Sequence, residues 1–182
     1  MTAAPNLSDF TNDEIKEVLS SVRHPIEVAV ISPGNYFNIA SMIRTAHGFL
    51  VNKFHIINID NLSNRELFYR KGTMSCHRFE DIEVWDSEEE FIFQMKAEKK
   101  NVVSFERRPG ELNPKTVWDY SYPDNCVLVF GSEKTGVSEY ILGNSVDNVC
   151  IPQFGITNDL NLSVAFGIAI NDWVSKHYKN RK

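Results

Sequence analysis

Six short apolar runs recur along the chain, each bounded by polar, glycine or proline residues: Glu27 to Ile31, Phe54 to Ile59, Ile82 to Trp85, Val102 to Phe105, Val127 to Phe130 and Asn148 to Ile151. Most are continuously apolar instead of alternating, the pattern of strands covered on both faces. Between them apolar residues recur at helical spacing: Asn38 to Phe49, Glu88 to Lys99 behind a capping box at Ser87 to Glu90, a short piece opening at Asn113-Pro114, Ser138 to Leu142, and a final helix from about Asn161 to Tyr178. Ahead of the first strand, Thr11-Asn12-Asp13-Glu14 is a second capping box, opening a helix to Val22 with Ile15, Val18 and Leu19 as its apolar stripe. Strands and helices alternating at this length predict an α/β domain: a mostly parallel six-stranded sheet with helices on both faces. Residues 1–25 read as a helical appendage and 26–182 as the domain proper.

Composition narrows this only a little. A chain of 182 residues, 42% hydrophobic, fits one core. Nineteen Lys and Arg against 24 Asp and Glu leave a net charge of -5, so a nucleic acid would have to be held by a local basic patch. Arg107-Arg108 and the tail Lys176, His177, Lys179, Arg181 and Lys182 are candidates for it, and for plain solvated surface. The three cysteines, Cys76, Cys126 and Cys150, include no Cys-x-x-Cys pair and share no ligand spacing with the five histidines. No structural metal is expected. No basic start with an apolar run opens the chain, and its longest apolar stretch, Val164 to Ile170, is far short of a bilayer span. The expectation is a cytoplasmic protein without a membrane partner.

In an open α/β sheet ligands gather at the carboxyl ends of strands. After the first strand comes Ser32-Pro33-Gly34-Asn35-Tyr36-Phe37-Asn38, with Arg44 six positions further on. A helix start can hold an anion, with Arg44 two turns along; the plainer alternative makes Asn38 an N-cap and Arg44 a surface cation. After the fifth strand, Gly131-Ser132-Glu133-Lys134-Thr135-Gly136 is a glycine-bracketed loop around one acidic side chain. It is neither a P-loop, since Val137 stands where lysine is needed, nor a dinucleotide fingerprint, which needs Gly-x-Gly. After the sixth strand, Ile151-Pro152-Gln153-Phe154-Gly155 leads through Thr157, Asn158 and Asp159 to Leu160-Asn161-Leu162-Ser163-Val164-Ala165. Asp159 could cap the last helix, a reading that leaves Asn161 and Ser163 without a reason.

Taken in order, Asn-x5-Arg followed by Thr-Ala, Gly-x-Glu-x-x-Gly, and Ile-Pro-x-x-Gly leading to Leu-Asn-x-Ser-Val-Ala resemble the three signature motifs of the SpoU/TrmH-type branch of the SPOUT RNA methyltransferases. The resemblance runs from Glu27 to about Val174, and the Glu-Lys-Thr-Gly of the second motif is most similar to tRNA guanosine ribose methyltransferases. It implies a C-terminal deep trefoil knot, a homodimer, and S-adenosyl-L-methionine (SAM)-dependent 2'-O-methylation of RNA, tRNA before rRNA, with no DNA partner. It places the catalytic positions at Asn38, Arg44, Glu133 and Asn161, and the cofactor against Phe130, Gly131, Ile151, Gln153 and Leu160, with Ser104 or Phe105 lining the pocket. One position departs from the pattern: Asp159 stands where the family usually has Ser.

Methyl transfer to a ribose hydroxyl demands alignment and stabilisation of a developing alkoxide. A guanidinium is a poor base, so Arg44 is expected to hold a phosphate and the alkoxide while Glu133 and Asn38 orient it. Two competing readings are a SAM- or RNA-binding scaffold of the same fold without turnover, and a flavodoxin-like or receiver domain. The second lacks the acidic cluster such domains need after the first strand, where Ser32-Pro33-Gly34 stands.

Overall fold

The computed structural model describes residues 10–31, 33–58, 72–108, 110, 113–156 and 159–178. Ser32, the strand end at Ile59, Thr157, Asn158 and the basic tail Lys179, Arg181 and Lys182 lie outside the described residues. Seven strands form one sheet: β1 (His24–Ile31), β2 (Val51–Ile57), β3 (Ile82–Trp85), β4 (Asn101–Phe105), β5 (Lys115–Thr116), β6 (Cys126–Phe130) and β7 (Asp147–Cys150). Every pairing is parallel, in the order β3-β2-β1-β6-β4-β7-β5. The helices are α1 (Asn12–Val22), α2 (Tyr36–Gly48), α3 (Glu88–Ala97), α4 (Glu139–Asn144) and α5 (Leu162–Tyr178), with one 3-10 turn at Cys76–Phe79.

Strand alternation divides the core into two layers. Ile26, Val28 and Val30 of β1 and Leu128 and Phe130 of β6 face α2 and α5, meeting Ile39, Ile43, Phe166 and Ile170. Ala29, Ile31, Val127 and Val129 face the other way, against Phe91, Ile92 and Met95 of α3 and Ile141 of α4. Both faces are thus buried, which is why the strands read as continuous apolar runs.

The seventh strand, β5, corrects the expected helix at Asn113-Pro114. Asn113 takes a φ of 61°, the left-handed region, where an N-cap needs extended backbone. The chain then lies along β7, with the Val117 N–H donating to the Cys150 carbonyl at 3.0 Å. The capping box at Thr11 to Glu14 forms as the sequence implies, Thr11 N–H to the Glu14 carboxylate at 2.7 Å and Glu14 N–H to the Thr11 hydroxyl at 3.3 Å. Only Ile15 of α1 is buried, so what ties α1 down is the next residue, Arg23. Its guanidinium donates to both oxygens of buried Glu80 and to the carbonyls of Val51 and Phe79, and Glu80 also takes His47 at 2.7 Å. No helix among the described residues is long and apolar enough to cross a membrane.

Candidate active site

The loops after β1, β6 and β7 converge at the carboxyl edge of the sheet, where an α/β fold places ligands. In the first, Asn35 is the N-cap of α2, its side chain accepting the Phe37 N–H at 2.9 Å. That frees Asn38 from the cap role the sequence left open to it. Asn38 lies in the first turn with its side chain turned inward, 7% exposed.

The second loop is closed on itself. Ser132 and Gly136 exchange backbone hydrogen bonds at 3.2 and 3.0 Å, and the Ser132 hydroxyl accepts the Thr135 N–H at 3.0 Å. A Cβ on Gly131 would sit 1.9 Å from the Gly136 carbonyl carbon, so this approach requires glycine. Gly136 has a φ of 67°, and a Cβ there would meet the Glu106 carboxylate at 2.4 Å. Glu106 earns that closeness by accepting the Val137 N–H at 2.7 Å, which fixes the loop's exit.

In the third loop Asn161, not Asp159, occupies the cap position of α5. Its carbonyl accepts the N–H groups of Val164 and Ala165, and its Oδ1 takes the Ser163 N–H and hydroxyl at 2.9 and 2.7 Å.

One hydrogen-bonded chain joins the three loops. Asn161 Nδ2 donates to Asn38 Oδ1 at 3.2 Å, Asn38 Nδ2 donates to Glu133 Oε1 at 2.6 Å, and the Gly34 N–H donates to Glu133 Oε2 at 3.1 Å. An ionised carboxylate only accepts, so Glu133 dictates which end of the Asn38 amide faces it, and Asn38 in turn dictates the Asn161 amide. Every link points its positive end toward Glu133.

Beside this chain lies a cleft of about 500 Å³ lined by Phe105, Phe130, Gly131, Ile151, Leu160 and Leu162 on its apolar and backbone side. Glu106, Arg107, Glu133, Lys134, Gln153, Asp159 and Asn161 supply its polar wall. The Gln153 Oε1 is buried there without a hydrogen-bond partner among the described residues. A buried unpaired acceptor is costly unless a ligand or water supplies a donor.

Of the residues expected at the site, Phe130, Gly131, Glu133, Ile151, Gln153, Leu160 and Asn161 line the cleft, and Asn38 touches two of them. Ser104 does not reach it. The hydroxyl is fully buried at the far side of β4, donating to the Asp147 carbonyl and Asn148 Oδ1, both at 3.2 Å, and the cleft takes Phe105 instead. Arg44 also stands away from the cleft, exposed on the outer face of α2. It faces the 3-10 turn, where burial first and the Glu80 carboxylate second push the Cys76 thiol up against the pull of the Arg44 charge. The expected basic patch is partly spent on structure. Lys176 donates to the Val117 and Tyr120 carbonyls and to Asp172, and His177 stacks on Trp173 at 3.9 Å. Sequence reading missed Glu106, whose only signal is an acidic residue directly after the apolar run of β4.

The family model for the SpoU rRNA Methylase family matches residues 25–171. The chain is 26% identical over 157 residues to a tRNA (guanosine(18)-2'-O)-methyltransferase of Aquifex aeolicus, covering 86% of this chain and 72% of that one. It is 37% identical over 68 residues to a 23S rRNA (adenosine(1067)-2'-O)-methyltransferase of Streptomyces azureus, spanning 37% of this chain and 24% of that protein. Among solved structures, the A. aeolicus TrmH/SpoU tRNA modifying enzyme superposes with a TM-score of 0.76 at 21% identity, covering 93% of this chain and 83% of that one. The SpoU methyltransferase AviRb from Streptomyces viridochromogenes in complex with AdoMet gives 0.75 at 19% identity, covering 87% and 63%. With its three motif loops tied by one hydrogen-bonded chain and the model matched over most of its length, the chain belongs to the SpoU methylase family.

Proposed function

We propose that the chain is a SAM-dependent RNA ribose 2'-O-methyltransferase acting on tRNA. The observation that carries this reading is the Asn161–Asn38–Glu133 chain, which binds the three family motifs together at the wall of a cleft large enough for a small-molecule ligand. The residues present suit the cofactor. Phe130, Leu162 and Ala165 offer apolar surface for an adenine ring, the backbone of Gly131, Ile151 and Leu160 offers donors and acceptors, and Gln153 Oε1 offers an orphaned acceptor for an exocyclic amine. When bound, the cofactor supplies an electrophilic methyl group.

The protein's own part is alignment and charge. Glu133, held from two sides, keeps the Gly34 to Asn38 loop and the Gly131 to Gly136 loop in one register, so a nucleotide entering between them meets preset hydrogen-bonding groups. Arg44, exposed and permanently charged, holds an RNA phosphate and stabilises the ribose alkoxide as it forms. Selecting a 2'-hydroxyl itself separates RNA from DNA.

A homodimer belongs to the same proposal. Phe37 is 79% exposed at the start of α2, and Val164 and Ile168 are exposed on α5, which packs beside it. Arg44 follows Phe37 by seven residues, on the same side of the helix. The face a second copy would cover therefore carries the reacting cation. The trefoil knot is proposed on the path of the chain: β7 lies beyond β4, yet α5, which follows it, returns to pack against α2.

The test is methyl transfer from labelled SAM to unmodified tRNA transcripts, with the product mapped by alkaline hydrolysis, which a 2'-O-methyl group blocks at one bond. Label in one resistant linkage is expected. Arg44→Ala should remove it while SAM affinity stays within about twofold. Label on a base, or no label on any RNA, overturns the reading. The Streptomyces relative makes 23S rRNA the second substrate to try.

A further inference from the structure

We propose that Asp159 makes the cleft selective for the charge of its ligand, favouring the sulfonium cofactor over the neutral thioether that methyl transfer leaves behind. The inference rests on the SAM reading above. Three carboxylates line the cleft, and two of them are committed. Glu106 holds the Val137 N–H, and both oxygens of Glu133 are engaged by Gly34 and Asn38. Asp159 is exposed and makes no hydrogen bond or ion pair with any described residue. Asn161, two residues on, is fastened to both Asn38 and Ser163. Asp159 is thus the one carboxylate lining the cleft that is not engaged by a described residue, in a wall that also carries the cations Arg107 and Lys134.

The two ligands differ by one charge at one atom. SAM carries a sulfonium, an ammonium and a carboxylate, a net charge of +1. In the transfer the methyl carbon bonds to the ribose oxygen, the C–S bond breaks with its electron pair staying on sulfur, and the hydroxyl proton goes to solvent. The remaining thioether is neutral overall. A carboxylate in the cleft therefore loses its attraction to the ligand at the moment of reaction, whereas a serine in its place would treat both alike. For an exposed charge pair in water the difference amounts to about three- to tenfold in affinity, weakened by salt. The consequence is easier product release.

Calorimetric titration of the intact protein with SAM, with S-adenosylhomocysteine, and with sinefungin, in which an amine-bearing carbon replaces the sulfonium, tests this. Asp159→Asn and Asp159→Ser should each weaken SAM and sinefungin about three- to tenfold and the thioether less than twofold, with an unchanged melting temperature. Asp159→Glu should keep most of the preference, and 0.5 M KCl should erode it in the wild type on Debye screening of an exposed pair. Equal weakening of SAM and thioether, or no weakening of either, overturns the role of Asp159 while leaving the methyltransferase reading intact. A wild-type protein that binds none of the three overturns both.

Discussion

A chain of polar side chains on β1 and another on the loops at the carboxyl edge of the sheet are built to opposite ends. In the first, buried Glu27 of β1 accepts Lys100 at 2.7 Å and His55 at 3.1 Å, and the Trp85 indole N–H donates to the other nitrogen of His55 at 3.0 Å. An indole can only donate, so His55 Nδ1 is the acceptor and Nε2 carries the proton toward Glu27. The ring is packed edge-on against Phe91. This chain is closed: each carboxylate has a cation beside it, Lys100 on Glu27 and Lys53 on Glu83, which lies 3.7 Å from His55 Nδ1. The second, Asn161–Asn38–Glu133, runs along the wall of a cleft beside Asp159, which has no protein partner among the described residues. Similar bonds serve stability in one place and presentation in the other. What separates them is whether the last group is satisfied by the protein or left for a ligand.

Breaking the closed chain should have the largest effect on the fold. Glu27→Ala strands Lys100 and the His55 N–H in a buried setting, and loss of one partner of a buried pair costs about 3–5 kcal/mol. For a domain of this size a drop of about 10 °C in melting temperature follows. Differential scanning calorimetry checks it; a shift under about 2 °C would mean the network is not tight in solution.

The same carboxylate should write itself into the acid limb of the stability curve. Burial alone would raise Glu27, but the hydrogen bonds from His55 and Lys100 outweigh it and hold the group down at about 2. A folded-state value below the unfolded 4.5 adds stability above about pH 4.5 that disappears as pH falls toward 2, roughly 3 kcal/mol if the whole shift is realised. Urea unfolding between pH 7 and pH 2 should show that slope in the wild type and a flatter one in Glu27→Gln. Identical slopes would assign acid sensitivity to other carboxylates.

The open chain should respond in the reverse sense. Asn38→Ala removes the link between Glu133 and Asn161 but leaves α2 capped by Asn35, so stability should fall only by about 1–2 kcal/mol. Turnover in the labelled-methyl assay should fall about hundredfold, the scale of losing one preorganised polar group at a reacting centre. A variant that unfolds before it slows would place Asn38 with Glu27, as structure.

Much of the open chain is legible in the sequence and almost none of the closed one, for a physical reason. The motif residues sit where apolar strands stop, and polar residues bunched at a strand end invite a functional reading. Glu27 and His55 instead sit inside apolar runs, 28 positions apart, and only the parallel pairing of β1 with β2 makes them neighbours. Of Ser104 and Phe105, the two alternatives that the resemblance offered for the pocket, strand alternation decides: Ser104 lies on the opposite face of β4, bonded to Asp147 and Asn148 of β7, and Phe105 takes the cleft. The two-residue β5 is too short to leave a periodic signal at all, and its identity depends on the backbone of Asn113. The cap roles considered for Asn38 and Asp159 fall instead to Asn35 and Asn161, because caps are decided by where a helix begins, and both helices begin one or more residues from where the pattern placed them.

The smallest expected effect probes where the two kinds of chain meet in one side chain. Glu106 lines the cleft like Asp159 but is closed like Glu27, since one oxygen takes the Val137 N–H at 2.7 Å and the carboxylate lies against Gly136. Glu106→Gln keeps an oxygen that can accept the same N–H and a near-identical volume, so only the charge assistance of the hydrogen bond is lost, about 1 kcal/mol. That corresponds to a melting shift of a few degrees. If Glu106 acts mainly on the loop, Gln should weaken SAM and S-adenosylhomocysteine by the same modest factor, in contrast to the unequal loss expected at Asp159. If Gln at 106 discriminates between the two ligands as strongly as Asn at 159, the cleft senses its total charge and the distinction between committed and uncommitted carboxylates does not hold.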